Sequence, residues 1–189
     1  DLILGETGTG KELVARTLHA MSQRTGGFEA VNCSAVPEML FESVFFGHRH
    51  GSFTGAVEDS AGILVAADSG TLFLDEIGEL APSTQPKLLR FLEDRLVTPV
   101  GGTHRREVDV RIIAATNADI LQMEAQGRFR PDLLARLEGI TIRLDPLRSR
   151  REDVLPLAEH YAIEQFGLNL SFEPDAAEAL TIAPWRHNV

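Results

Sequence analysis

The sequence predicts an α/β protein with helices layered on a parallel sheet. Apolar, β-prone runs alternate along the chain with segments whose apolar residues recur at helical spacing, the pattern of strands joined by crossover helices. Two of those runs end on polar residues, as buried parallel strands do: the unbroken Thr71-Leu72-Phe73-Leu74 leads to Asp75-Glu76, and Val108 to Ala115, apolar apart from Asp109 and Arg111, leads to Thr116-Asn117. A third observation sets the order: a glycine-rich loop, residues 5–12, stands between an apolar strand and an amphipathic helix.

The elements follow from the N-terminus. Leu2-Ile3-Leu4 is the first strand, and Gly5-Glu6-Thr7-Gly8-Thr9-Gly10-Lys11-Glu12 is the loop after it. Three glycines open backbone angles closed to other residues, so successive N–H groups can turn inward as an anion nest at a helix N-terminus. Lys11 then reaches phosphate as a point charge. An ordinary glycine-rich turn shares this composition, and the Gly-x4-Gly-Lys spacing is what singles out a phosphate loop. Glu12 stands where the usual motif has a Mg²⁺-ligating Ser or Thr.

Leu13, Val14, Leu18 and Met21 place a helix over Lys11 to Met21. Phe28 to Cys33 reads as a short strand, and Pro37 opens a helix to about Phe46, which Gly47 stops. Gly47 to Gly55, with three glycines among His48, Arg49, His50, Ser52, Phe53 and Thr54, has the composition of a projecting loop. After the 71–74 strand, Ser83 to Arg95 is a helix built on Leu88, Leu89, Phe91 and Leu92. Short helices over Asp119–Gln126 and Pro131–Leu137, a strand over Ile140–Leu144, and helices over Glu152–Phe166 and Pro174–Leu180 complete the pass. The expected division is an α/β domain over 1–146 and a helical one over 147–189. The basic run Arg148-Ser149-Arg150-Arg151 is either a solvated linker face or a phosphate contact.

Composition narrows the function classes. With 189 residues, 43% of them hydrophobic, the chain can bury one sizeable core, and no apolar run is long enough to span a bilayer. A net charge of -10 argues against this segment holding duplex DNA by itself, because phosphate contacts need clustered Lys and Arg. The lone Cys33 gives neither a disulfide framework nor zinc spacing, and is expected to be a buried core residue in a reducing, cytoplasmic compartment. The chain opens inside a strand and closes on Trp185-Arg186-His187-Asn188-Val189 without a helix stop, so it is expected to be an excerpt of a longer protein.

Asp75 and Glu76 complete the chemistry. In a nucleotide hydrolase one carboxylate at a strand end holds Mg²⁺, and a second beside it orients or deprotonates the attacking water. Asp75 with water, aided by Thr9, would then replace the hydroxyl absent at position 12.

Three motifs together resemble the central AAA+ domain of sigma-54-dependent transcriptional activators, the NtrC-like bacterial enhancer-binding proteins. They are Gly5 to Glu12, Gly51-Ser52-Phe53-Thr54-Gly55-Ala56 and Gly70-Thr71-Leu72-Phe73-Leu74-Asp75-Glu76-Ile77-Gly78-Glu79-Leu80. In that family Glu follows the Walker A lysine, so Glu12 becomes a family mark. The resemblance implies a three-layer α/β/α P-loop fold with a helical lid, incomplete in this sequence, and an ATPase that uses ATP and Mg²⁺ and is active only as an oligomer, a hexamer being usual.

It also implies residue roles. Gly51 to Ala56 would contact sigma-54 and its RNA polymerase, with Phe53 and Thr54 at the tip. Asn32 matches a switch asparagine that holds Glu76, and Thr116-Asn117 match sensor I. Arg130 and Arg136 match arginine fingers presented to a neighbouring subunit. Promoter and enhancer DNA would be reached only through domains outside this chain, and no membrane is involved. Ser52 replaces the usual Ala, and Arg49 stands where Glu is frequent, a charge reversal beside the loop. The closing segment resembles the family's Trp-Pro-Gly-Asn-Val, with two positions changed and the following sensor II Arg absent. An alternative from another class is a nucleotide-gated oligomeric regulatory scaffold that does not engage sigma-54.

Overall fold

The structure is a computed structural model that describes residues 1–169 and 171–188. Val189, the last residue of the closing motif, therefore lies outside the described residues. The strands are β1 (Leu2–Gly5), β2 (Phe28–Asn32), β3 (Thr71–Asp75), β4 (Leu96–Val97), β5 (Arg106–Glu107), β6 (Arg111–Thr116) and β7 (Thr141–Leu144). The helices are α1 (Lys11–Met21), α2 (Phe41–Phe46), α3 (Ile63–Ala66), α4 (Gln85–Asp94), α5 (Ile120–Ala125), α6 (Pro131–Leu137), α7 (Val154–Phe166) and α8 (Pro174–Ile182). Two compact units result: residues 1–4 with 11–142, and residues 5–10 with 143–189.

In the first unit the main sheet runs β2-β3-β6-β1-β7, and the pairs β2 with β3, β3 with β6 and β6 with β1 are parallel. Register places Asn32 beside Asp75, and Leu4 beside Thr116. The polar strand ends read from sequence therefore lie together at the carboxyl edge, where parallel sheets carry their ligands. Beneath them Leu72, Leu74, Ile112 and Ala114 pack with Phe41, Phe45, Leu88 and Phe91 in one buried cluster. The α4 helix joins it through Leu88, Phe91 and Leu92, all buried on one face, and ends where Arg95 turns left-handed.

Several boundaries differ from the sequence pattern for local reasons. The helix expected from Pro37 starts as a 3-10 turn at Glu38–Leu40 and becomes α-helical only at Phe41. The strand expected to reach Cys33 stops at Asn32, whose side chain accepts from Ser34 N and caps a 3-10 turn over Cys33–Ala35. Val108 and Val110 are buried, yet strand pairing begins only at Arg111, opposite Thr71. Burial and ladder pairing are separate properties, and the apolar pattern reports only the first. The short α3 helix and the two-residue β4–β5 pair were not in the sequence reading, because neither spans enough residues to show a period.

Gly47 and Gly62 have φ of 81° and 78° and pinch the chain between them. A Cβ on Gly62 would lie 2.3 Å from Gly47 N, and one on Gly47 would lie 2.2 Å from Ser60 O. No larger residue fits either position, so the segment between them leaves and rejoins the body at one point.

Gln85, at the start of α4, is fully buried and spends its whole amide on backbone. Its Nε2 donates to Leu80 O at 3.0 Å and Arg128 O at 2.9 Å, and its Oε1 accepts from Arg130 N at 2.9 Å. Replacing it with Leu of similar size strands three backbone groups. Gln85→Leu is expected to cost about 3 kcal/mol of stability, measured by denaturant unfolding. A loss below about 1 kcal/mol would mean that water replaces those bonds.

In the second unit α7 ends at Gly167 in the left-handed region, and α8 carries Pro174 in its first turn. Arg151–Asp153 form a 3-10 turn, so the helix expected from Glu152 starts at Val154. Trp185 Nε1 donates to Leu180 O at 2.8 Å, tying the chain after α8 back to it.

Candidate functional site

The glycine-rich loop lies in the second unit. Gly8 and Gly10 have φ of 78° and 94°, as the sequence requires. Thr9 is buried, and its hydroxyl donates to Glu6 O at 2.8 Å, so its proton is committed within the loop. Three residues outside the motif grip this loop. Arg148 forms a bidentate pair with the Glu6 carboxylate at 2.5 and 2.7 Å, and this pairing first, then Asn188, holds Glu6 below the usual carboxylate range. Asn188 Nδ2 donates to Thr7 O at 2.9 Å, while its Oδ1 accepts from Leu147 N at 2.6 Å. Arg150 donates to Thr9 O at 2.9 Å. Sequence reasoning left the 148–151 run as linker or phosphate contact. Its arginines at 148 and 150 instead brace the loop's own polar groups.

In the first unit, Lys11 opens α1 almost fully buried, with Nζ 3.8 Å from Glu76 Oε1. Glu12 is exposed and pairs with Arg16 one turn on, at 2.6 Å. Glu76 adopts a left-handed conformation, φ 49° and ψ 50°, which a non-glycine residue holds only where its surroundings impose it. Its Oε2 accepts from Asn117 N at 3.1 Å, and its own N–H donates to Asp75 Oδ1 at 3.0 Å. Burial, and then the neighbouring Glu76 charge, raise Asp75 above the usual carboxylate range, while Lys11 opposes them. Lys11 thus lies beside both acids.

The remaining predicted residues are distributed around this centre. Asn32 sits beside Asp75 in the sheet, and its Oδ1 accepts from Ser34 N at 2.9 Å and Ser34 Oγ at 2.7 Å. Thr116 is buried, with its hydroxyl accepting from Ala118 N, so this pair of residues meets Glu76 through the Asn117 backbone. Burial, then Asp75 and Glu76, push the Cys33 thiol up to about 12, which makes it an inert core group. Arg130 is exposed at the start of α6 and forms a bidentate pair with Asp132 at 2.9 and 2.7 Å. Arg136, in the last turn of α6, donates to Leu92 O at 3.2 and 3.4 Å.

The Gly51–Ala56 loop rises from a stem closed by backbone bonds between His48 and Ser60. Gly51 and Gly55 both have positive φ, and Gly51 N donates to Ala56 O at 2.8 Å, closing the tip on itself. Thr54 is exposed, but Phe53 is only 37% exposed because its ring lies edge-on against His48 at 5.0 Å. The expected projecting aromatic is thus half-sheltered by a histidine that sequence reasoning had not assigned a role. Ser52 is partly covered and its buried hydroxyl has no hydrogen-bond partner among the described residues. Arg49 pairs with Asp59, which also accepts from His50 N at 2.7 Å, so the reversed charge at 49 has its counterion in this chain.

No helix among the described residues is long and apolar enough to cross a membrane. No cluster of three or more metal-binding side chains occurs among them either.

Comparison with known proteins places this geometry. The family described as the Sigma-54 interaction domain matches residues 1–143. The whole chain aligns at 47% identity with a Nif-specific regulatory protein of Azospirillum lipoferum, covering 31% of it. It aligns at 48% with the transcriptional regulatory protein ZraR of Klebsiella oxytoca, covering 44%. It aligns at 47% with the DNA-binding transcriptional regulator NtrC of Rhizobium meliloti, covering 40%. The chain therefore spans less than half the length of these relatives. Among solved structures, NtrX from Brucella abortus in complex with ADP superposes with a TM-score of 0.87 at 38% identity, over 99% of this chain and 42% of that one. NtrX in complex with ATP gives 0.86. Yeast Hsp104, in an extended conformation with casein, gives 0.73 at 19% identity, a likeness of fold alone. The parallel sheet, the glycine-rich loop and these matches make this an α/β P-loop AAA+ fold, and the chain belongs to the Sigma-54 interaction domain family.

Proposed function

We propose that this chain is the ATP-hydrolysing motor of a transcriptional activator, remodelling the closed complex of sigma-54 RNA polymerase through the Gly51–Ala56 loop. The single observation that carries it is Glu76, held left-handed beside Asp75 and between Lys11 Nζ and Asn117 N–H. A lysine from the phosphate loop motif meeting a constrained acid is the arrangement that a phosphoryl-transfer site requires. ATP and ADP in the NtrX complexes support the same choice of nucleotide.

In this mechanism the N–H groups of residues 5–10 cradle the phosphates, and Lys11 neutralises them. Glu76 orients the attacking water and accepts its proton. Thr116 and Asn117 respond to the γ-phosphate, and Asn32, whose Oδ1 here accepts from Ser34, must leave Ser34 to restrain Glu76. Arg130 and Arg136 serve a neighbouring subunit's nucleotide, so the active form is a homo-oligomeric ring. Residues 1–146 act as the nucleotide-binding part and 147–189 as the lid.

Asp75, half-buried at the end of β3 beside Glu76 and with Oδ1 accepting from Glu76 N, fits Mg²⁺, which takes one or two carboxylates beside phosphates. Bound there, Mg²⁺ would supply neutralisation of the phosphate oxygens. Contact with promoter DNA belongs to other segments of the protein. The scaffold alternative drew on Arg49 and Ser52. Arg49 pairs with Asp59, which balances its charge within this chain.

The test is Thr54→Ala in the complete protein. ATP turnover should stay within about twofold of wild type, while sigma-54-dependent open-complex formation falls by ~100-fold or more, since Thr54 is exposed at the loop tip and lies outside the nucleotide residues. Wild-type protein that hydrolyses ATP yet opens no sigma-54 promoter would hand the case to the scaffold.

A further inference from the structure

We infer that Arg150 and Asn188 are positioning residues for the nucleotide phosphates, acting through the backbone of the glycine-rich loop. This rests on the reading of residues 5–10 as the phosphate cradle, and it adds residues outside that motif.

The argument is one of peptide planes. In a trans peptide the carbonyl of one residue and the N–H of the next point in opposite directions. Whatever holds the carbonyl therefore aims the N–H. Three peptides of the loop are held this way. Thr9 Oγ1 donates to Glu6 O, Asn188 Nδ2 donates to Thr7 O, and Arg150 donates to Thr9 O. Each bond draws a carbonyl towards the protein and turns the N–H of Thr7, Gly8 or Gly10, respectively, the other way. Those are donors that an anion nest needs on one side.

Glycine makes the grip necessary. Gly8 and Gly10 reach their positive φ because they lack a Cβ, but the same freedom lets their peptides flip when nothing holds them. Loop glycines supply the conformation, and Asn188 and Arg150 supply its persistence.

Both residues are themselves fixed. Asn188 is 5% exposed, and its Oδ1 is engaged by Leu147 N. Arg150 Nε donates to Asp145 O at 3.0 Å, and the same guanidinium reaches Asp153 at 3.2 Å. A donor anchored on its far side orders the carbonyl at folding, so that cost is not met again when nucleotide binds.

The experiment uses the complete protein with ATP and ADP as probes, titrated directly and followed by steady-state hydrolysis. Arg150→Ala is expected to weaken both nucleotides about tenfold, the scale of one lost bond from a charged donor. Asn188→Asp keeps the acceptor for Leu147 N but replaces the donor to Thr7 O and Glu6 with a carboxylate, and is expected to weaken both nucleotides at least as much. The defect should appear in KM, with kcat at saturating ATP within about twofold of wild type, because the hydrolytic acids are untouched. Equal loss for ADP and ATP separates this role from a direct grip on the γ-phosphate. Arg150→Lys, which retains a donor, should recover most of the affinity. Arg151→Ala removes the same charge from the same run and should change affinity less than twofold.

Nucleotide-free unfolding midpoints accompany each titration. Variants that unfold earlier yet bind ATP as tightly as wild type would reduce Arg150 and Asn188 to structural residues and overturn the inference. Asn188→Asp, an isosteric change, decides the matter if Arg150→Ala does not fold. Wild-type protein that binds neither nucleotide would overturn the cradle itself, a different result from intact binding with indifferent variants.

Discussion

Glu76→Gln is expected to lower ATP turnover by ~10³-fold while leaving ATP binding intact or tighter. The size follows from removing a general base positioned on the attacking water, a contribution of about 10²–10⁴ in rate. Gln is the informative replacement because it keeps the length of the side chain and an oxygen for Asn117 N–H, which Glu76 Oε2 accepts at 3.1 Å. What it removes is the charge and the basicity. Lys11, 3.8 Å from Glu76 Oε1, loses that ion pair, and its charge turns more fully to phosphate. Asp75, raised in part by the Glu76 charge, becomes easier to ionise. Both changes favour nucleotide and Mg²⁺, so affinity should hold or rise as turnover collapses. Phosphate-release kinetics beside nucleotide titration make the measurement. Turnover above about a tenth of wild type would deny Glu76 the role of base.

The parts of this site that were legible in the sequence are those whose geometry is carried by the chain itself. The 5–12 loop announces its backbone through glycine spacing, and the 71–76 run announces a buried strand that delivers Asp75 and Glu76. Parallel register then sets Asn32 beside Asp75 with no further information. Positions joined across long chain separation left no such mark. Asn188 lies 181 residues from Thr7, and Arg150 lies 141 from Thr9. Neither has a periodic pattern, and a basic run beside a helix usually faces solvent. Glu76 being left-handed was equally invisible, because Glu has no preference for that region and only the surrounding bonds impose it. The α3 and β4–β5 elements escaped for their brevity, although Gly47 and Gly62 bracket the segment that contains the Gly51–Ala56 loop.

Arg130 and Arg136, proposed as arginine fingers, give the second large effect, and their geometry sets how it must be tested. Arg130→Ala is expected to reduce ATP turnover by ~10³-fold or more, as loss of a finger acting on phosphoryl transfer does. Its folding should be nearly unaffected. The Arg130–Asp132 pair is exposed, and pairs of that kind contribute about 0–1 kcal/mol. Its backbone N–H, which holds the α6 entrance to Gln85 Oε1, survives the substitution. Arg136 differs, since its guanidinium already bonds Leu92 O at the far end of α6 and must leave that carbonyl to reach a nucleotide. An inactive Arg130→Ala protein would by itself fit either a cis or a trans role. Mixing separates them. Arg130→Ala subunits carry an intact Glu76, and Glu76→Gln subunits carry an intact finger, so a shared ring rebuilds working interfaces wherever the second presents its arginine to the first. Random assembly in equal amounts should return about a quarter of wild-type turnover from two proteins that are each inactive. No recovery, in mixtures shown by size to have exchanged subunits, would place Arg130 in its own subunit's chemistry and remove the reason for the ring.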